Sequence, residues 1–166
     1  MKRLLPLLLL GIATFVSAQQ QTTTMKPTTV IIVRHAESVQ IGDDPALTDA
    51  GTARANALVT VAEHAGVQRV YVTQFRRTRD TALPLATKLN LEPVEYDAKG
   101  DVAAFAKRLL AENAGGTVLV VGHSNTVPSI VEALSGVKVA PIKHEDNTRV
   151  FVVTGRNVVA AQYGCP

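Results

Sequence analysis

From Thr28 onward, short continuous apolar runs alternate with longer stretches in which apolar residues recur every three or four positions. The run TTVIIV (28–33) is unbroken and β-branched, the pattern of a strand covered on both faces. LTDAGTARANALVTVAEHAG (47–66) reads as a helix, with Thr48 as N-cap and Gly66 as its stop. RVYVT (69–73) is a second strand. RRTRDTALPLATKLN (76–90) is helical in composition, and Pro84 is expected to kink or break it. EPVEYD (92–97) is a short strand or extended segment. DVAAFAKRLLAENAGG (101–116) is a helix capped by Asp101 and ended by its glycines. TVLVVGHS (117–124) repeats the buried-strand theme, and NTVPSIVEALSG (125–136) is a helix. TRVFVVTGRNVVAAQY (148–163) reads as a hairpin turning at GRN.

This alternation predicts an α/β fold, a three-layer sandwich with a mostly parallel central sheet, helices on both faces and an antiparallel edge from the C-terminal hairpin. No repeat or internal boundary divides residues 28–166. In open α/β sheets ligands sit beyond the carboxyl ends of the strands, and both IIVRH and LVVGH place a histidine there.

The first residues follow different rules. Lys2 and Arg3, the apolar run Leu4 to Val16 and the small residues VSA form the three parts of a secretory signal peptide, with cleavage expected after Ala18. The run is shorter than the about 20 residues of a membrane span. Residues 19–27 read as a disordered leader, so the mature chain is expected to be exported, periplasmic or secreted, with no stable membrane anchor. The 17 Lys and Arg against 14 Asp and Glu give +3; residues 1–18 hold two of those cations and no acid, leaving +1. That near-neutral remainder excludes bulk attraction to nucleic acid. The single cysteine, Cys165, cannot form an internal disulfide.

Arg34 and His35 leave the first strand, Arg77 follows RVYVT after a short turn, and His123 leaves the later buried strand. If these strands are neighbours, two histidines and two arginines converge. Guanidinium forks suit phosphate oxygens, and a neutral imidazole can attack phosphorus to form a covalent intermediate. The partner this chemistry implies is a small phosphorylated substrate.

RHAES after a buried strand, LTDAGTARA, TQFRRTRDTA and VVGHSNT occur in an order and spacing that resemble the histidine phosphatase superfamily, the group of phosphoglycerate-mutase-like phosphatases. Together they cover nearly all of Thr28 to Ser135. The resemblance implies a phosphatase hydrolysing a phosphomonoester without cofactor or metal. In it His35 is the nucleophile, Arg34 and Arg77 bind the phosphoryl group, and His123 donates a hydrogen bond to it. Arg77 is preferred to Arg76 and Arg79 because Thr73, Arg77, Thr81 and Ala82 fall in register with the family's Ser-x-x-x-Arg-x-x-x-Thr-Ala pattern, with Thr73 in place of serine. Glu37, Ser124 and Asn125 are further candidate contacts, and Glu37 could instead orient Arg34 or His35. The proton donor in mutase-like relatives is a glutamate following the Thr-Ala helix; here Glu95 and Asp97 are equal candidates, with Asp101 behind them. Ile41 stands where the mutase branch has a phosphate-binding asparagine, and Ser124 where the phytase branch has an acid.

Three other readings compete. Ser124 in VVGHSNT resembles a nucleophile elbow but lacks the second glycine, and His144 precedes Asp146 where the order should be reversed. A zinc hydrolase is opposed by the absence of ligand spacing and by the paired arginines. A non-catalytic phosphoryl-ligand binding module would keep the same pocket without turnover. His64 near a helix end and His144 in KHEDN read as solvated residues, although the loop 135–148 and SVQIGDDPA (38–46) are where specificity is expected.

Overall fold

In the computed structural model, which describes residues 26–164, the run TTVIIV is buried on both sides. It forms β1 (Thr29–Arg34). Successive side chains of a strand point to opposite faces, so Val30 and Ile32 enter one core and Ile31 and Val33 the other. The chain continues through α1 (Asp49–Ala62), β2 (Val67–Thr73), α2 (Arg76–Leu89), β3 (Val94–Tyr96) and α3 (Val102–Glu112). It ends with β4 (Thr117–Gly122), α4 (Thr126–Ser135), β5 (Arg149–Thr154) and β6 (Asn157–Gln162). The six strands lie in the order β3-β2-β4-β1-β5-β6. β3, β2, β4 and β1 pair in parallel, and β5 and β6 add the antiparallel edge expected from the hairpin.

Helices cover both faces. Leu58 and Ala62 of α1 and Ala82, Leu85 and Ala86 of α2 pack on Ile31, Val33, Leu119 and Val121. Phe105 and Leu109 of α3 and Val127, Ile130 and Val131 of α4 pack on Val30, Ile32, Val118 and Val120. The three-layer sandwich follows from the strands' double-sided apolarity. The signal peptide, residues 19–25 of the leader and Cys165 lie outside the described residues. Among the described residues no helix is long and apolar enough to cross a membrane.

Two local expectations need correction. α2 runs unbroken through Pro84, because the buried Leu85 and Ala86 beside it anchor the helix to the sheet and offset the missing backbone bond. α1 ends at Ala62, and Gly66, at φ +71°, instead turns the chain into β2. Thr48 caps α1 as expected, its hydroxyl accepting from Gly51 N at 3.0 Å. Asp101 caps α3 through Ala103 N and Ala104 N. α2 has no cap from its own Phe75; Asp44, from the loop between β1 and α1, accepts from Arg76 N at 2.7 Å.

The first turn of α1 lies directly on the loop that leaves β1. A Cβ at Gly51 would meet the Glu37 carbonyl oxygen at 2.0 Å, and that oxygen accepts from Thr48 N at 2.9 Å. In an open helix Gly→Ala stabilises by about 0.5–1 kcal/mol. Here the backbone clash reverses the sign: Gly51→Ala should destabilise by about 1–3 kcal/mol in urea unfolding. A stabilised variant would show that α1 does not bear on this loop.

Candidate active site

β1 and β4 are adjacent and parallel, and Arg34 stands level with Gly122. The next residues, His35 and His123, therefore leave the sheet side by side. His35 N donates to Gly122 O at 2.9 Å, and the two rings meet edge to face with centroids 5.3 Å apart. They border a cavity of about 460 Å³ beyond the strand ends. A Cβ at Gly122 would meet Thr126 Oγ1 at 2.8 Å, the oxygen that accepts from His123 N at 2.9 Å. Glycine leaves room for the turn that carries the second histidine.

His35 Nδ1 lies 2.8 Å from the Ala36 carbonyl oxygen. A carbonyl only accepts, so Nδ1 carries the proton and the Nε2 lone pair is free. Burial pushes the His35 imidazole down to about 4; the Ala36 hydrogen bond opposes this, while the positive charges of Arg34, Arg77 and His144 reinforce it. The ring is neutral at ordinary pH. Its backbone is held on both sides: the His35 carbonyl accepts from Asn147 Nδ2 at 2.7 Å, and Ala36 N donates to Thr81 Oγ1 at 2.9 Å. Thr81 Oγ1 donates in turn to the Arg77 carbonyl at 2.7 Å.

His123 is pushed down to about 3, by burial first and then by His35, Arg77 and Arg34. Its Nε2 lies 3.0 Å from Thr73 Oγ1. Thr78 directs its single hydroxyl proton to a carbonyl, Phe75 O at 2.8 Å being the nearer, so the Thr73 proton has two acceptors at 3.0 Å, Thr78 Oγ1 and His123 Nε2, and only donation to the second puts the His123 proton on Nδ1. In that arrangement Nδ1, without a protein hydrogen bond among the described residues, carries the ring's proton as a donor. The threonine found in place of serine supplies the same hydroxyl.

Arg34 is 3% exposed. Its Nη1 donates to the carbonyls of Lys143 at 3.0 Å, His144 at 2.5 Å and Asp146 at 3.3 Å. Its Nε is buried without a partner, a state that costs about 1–3 kcal/mol and that an anion would relieve. The Arg77 guanidinium makes no ion pair among the described residues; it stacks on Phe75 at 4.4 Å from the ring centroid and borders the cavity. Arg76 pairs with Asp80, and Arg79 with Asp44 and Glu95. These partners offset the misplacement of cations at a helix start.

The cavity thus gathers Arg34, His35, Arg77, His123, Ser124 and Asn125. Ser124 Oγ makes no hydrogen bond to a histidine among the described residues. Four candidates are not brought in. Glu37 faces Arg54, whose Nε and Nη2 hold its carboxylate at 2.7–3.0 Å. Burial alone would raise the Glu37 carboxyl, but the Arg54 hydrogen bonds and charge outweigh it and hold it low. It is an anion already neutralised, not a phosphoryl ligand. Glu95 lies on the short edge strand β3, where its carboxylate is 60% exposed and 3.6 Å from Arg79. Asp97 is exposed and accepts from Lys99 N, and Asp101 is spent on its helix cap. None of the three borders the cavity. Sequence reasoning missed Phe75 and Lys99, which line the cavity, and Asn147, which holds the His35 carbonyl; His144, expected to be solvated in a loop beside the pocket, is exposed and lines the wall. Phe75 lies inside TQFRRTRDTA and was visible there; Asn147 sits in a loop with no periodicity. Among the described residues no three His, Cys, Asp or Glu side chains group as metal ligands would.

Two outcomes follow from this hydrogen-bond pattern. Thr73→Val removes the hydroxyl that holds His123 Nε2, so turnover should fall about 100- to 1000-fold, the range for losing one preorganised hydrogen bond; Thr73→Ser should keep most of it, and equal rates in both variants would remove Thr73 from this role. Both buried imidazoles fold neutral, whereas an unfolded histidine takes a proton near pH 6.5. Stability is therefore full above about pH 6.5 and declines as pH falls through about 4 and about 3. Urea midpoints between pH 7 and 4 should decline less steeply in the His35→Ala/His123→Ala double variant, and an unchanged slope would contradict the neutral pair.

The family described as the histidine phosphatase superfamily (branch 1) matches residues 30–99, a span that holds His35, Arg77 and the α1 and α2 contacts to them. No curated protein matches the chain in sequence. Among solved structures, the protein histidine phosphatase SixA complexed with tungstate is similar at TM-score 0.66 and 22% identity, over 81% of this chain and 95% of its own. A mycobacterial glucosyl-3-phosphoglycerate phosphatase is similar at TM-score 0.60 and 16% identity, over 75% and 88%. A phosphoserine phosphatase mutant from Entamoeba histolytica, in complex with phosphoserine, is similar at TM-score 0.60 and 14% identity, over 82% and 96%. These likenesses share the fold of small single-domain phosphatases, and residues 30–99 match the histidine phosphatase superfamily (branch 1).

Proposed function

We propose that the chain is an exported phosphatase that hydrolyses a phosphomonoester through a phosphohistidine at His35. The observation that carries this reading is the His35 Nδ1–H bond to Ala36 O, which leaves Nε2 with a lone pair in a site bordered by the Arg77 guanidinium, which makes no ion pair among the described residues. Nε2 attacks phosphorus, and the bond to the leaving oxygen breaks with its electron pair on that oxygen. Arg77, the Nε side of Arg34 and the Nδ1–H of His123 carry the charge on the remaining oxygens. Water then attacks the phosphorus and returns the electron pair to Nε2. Export rests on the sequence of residues 1–18 alone.

A second reading is favoured by one finding, that no carboxylate of the 95–101 segment borders the cavity. A phosphoramidate such as phosphohistidine has a leaving nitrogen basic enough to take its proton from water, and one similar structure is that of a protein histidine phosphatase.

The test is turnover of p-nitrophenyl phosphate by residues 19–166, followed by quenching of a labelled enzyme. The reading expects a phosphoenzyme stable in alkali and lost in acid, and absent with all turnover in a folded His35→Ala variant. Tight saturable phosphate binding with no hydrolysis of any ester would instead favour the binding module. Mass spectrometry of the protein recovered after export should find its N-terminus at Gln19; an intact Met1 would refute cleavage.

A further inference from the structure

Resting on the phosphatase reading, we propose that His144 is the acid that protonates the leaving group. The displacement is in line, so a group attacked by Nε2 at the buried floor of the cavity departs toward its mouth. His35 is 7% exposed and forms that floor. His144 is exposed and borders both this cavity and the adjoining recess formed by Glu37, Glu145 and Asn147.

Its position is built, not incidental. Arg34 Nη1 binds the carbonyls of Lys143, His144 and Asp146, and Asn147 Nδ2 binds the carbonyl of His35 itself. Asp146 turns the loop by accepting from Thr148 N, Thr148 Oγ1 and Arg149 Nε. The loop is thereby fastened to the strand end that carries the nucleophile, while neither ring nitrogen of His144 has a hydrogen-bond partner among the described residues.

The charged groups sharing these walls are Arg34, Arg77 and Lys99 against Glu37, Asp43 and Glu145. An exposed carboxyl ordinarily holds its proton too weakly, and a lysine too strongly, for donation near neutrality; an imidazole lies between. As the phosphorus–oxygen bond breaks, the His144 proton passes to the departing oxygen. In the second half the neutral ring accepts a proton from the attacking water, which restores the imidazolium.

The experiment is a leaving-group series, from p-nitrophenyl phosphate through phenyl phosphate to an alkyl phosphate, with wild type and His144→Gln. An activated leaving group needs little protonation, so the loss should be under about 5-fold for p-nitrophenyl phosphate and about 100-fold or more for the alkyl ester, the scale of general acid catalysis. Added imidazole should partly restore His144→Ala on the alkyl ester alone. A loss equal across the series, or no loss, overturns the assignment while leaving the phosphatase reading intact. If wild type hydrolyses no member of the series and forms no phosphoenzyme, both fall together.

Discussion

The site depends on one pairing, the parallel ladder between β1 and β4 in the register that sets Arg34 level with Gly122. Each strand brings a histidine one residue past its end, and only this register puts the two rings in contact. A slip by one residue would send every side chain of β1 to the opposite face. The apolar sets that fix the register are the same Val30/Ile32 and Ile31/Val33 that divide the two cores. Core packing and catalytic geometry are therefore one constraint.

The electrostatics follow from that placement. Burial and two guanidinium groups keep both imidazoles neutral, so each ring holds one proton and one lone pair. The arginines remain charged in any working range, and one orphaned Nε costs stability until an anion arrives. The loop 143–147 hangs from Arg34 and Asn147, so the wall facing the mouth is coupled to the strand end that carries His35. On the other side Arg54 joins Glu37 to the carbonyl of Tyr163, tying the chain's end to the same strand exit.

What the sequence made legible were features with a short-range cause. The unbroken β-branched runs, the Thr48 and Asp101 caps and the hairpin at Gly155 are all local, as is the convergence of His35, His123 and Arg77 on strand ends. The failures share a different cause. Glu37 looked chemically free because its partner Arg54 is 17 residues away, in α1, and nothing in RHAES announces it. Glu95 and Asp97 had the right neighbourhood in sequence, yet β3 is a three-residue edge strand that turns them outward. Pro84 read as a kink or a break because propensity ignores the packing of Leu85 and Ala86. His144 and Asn147 belong to a loop without periodicity, and only the hydrogen bonds to Arg34 and His35 reveal where it lies.

The central claim is that His35 presents an unprotonated Nε2 because Nδ1 holds the ring's proton against Ala36 O. Nitrogen-15 NMR of the imidazole in the unliganded protein reads this directly. At pH 7 the account predicts a protonated Nδ1 and a bare Nε2, with the ring becoming charged only near pH 4. A proton on Nε2, or a ring already charged at pH 7, would contradict it.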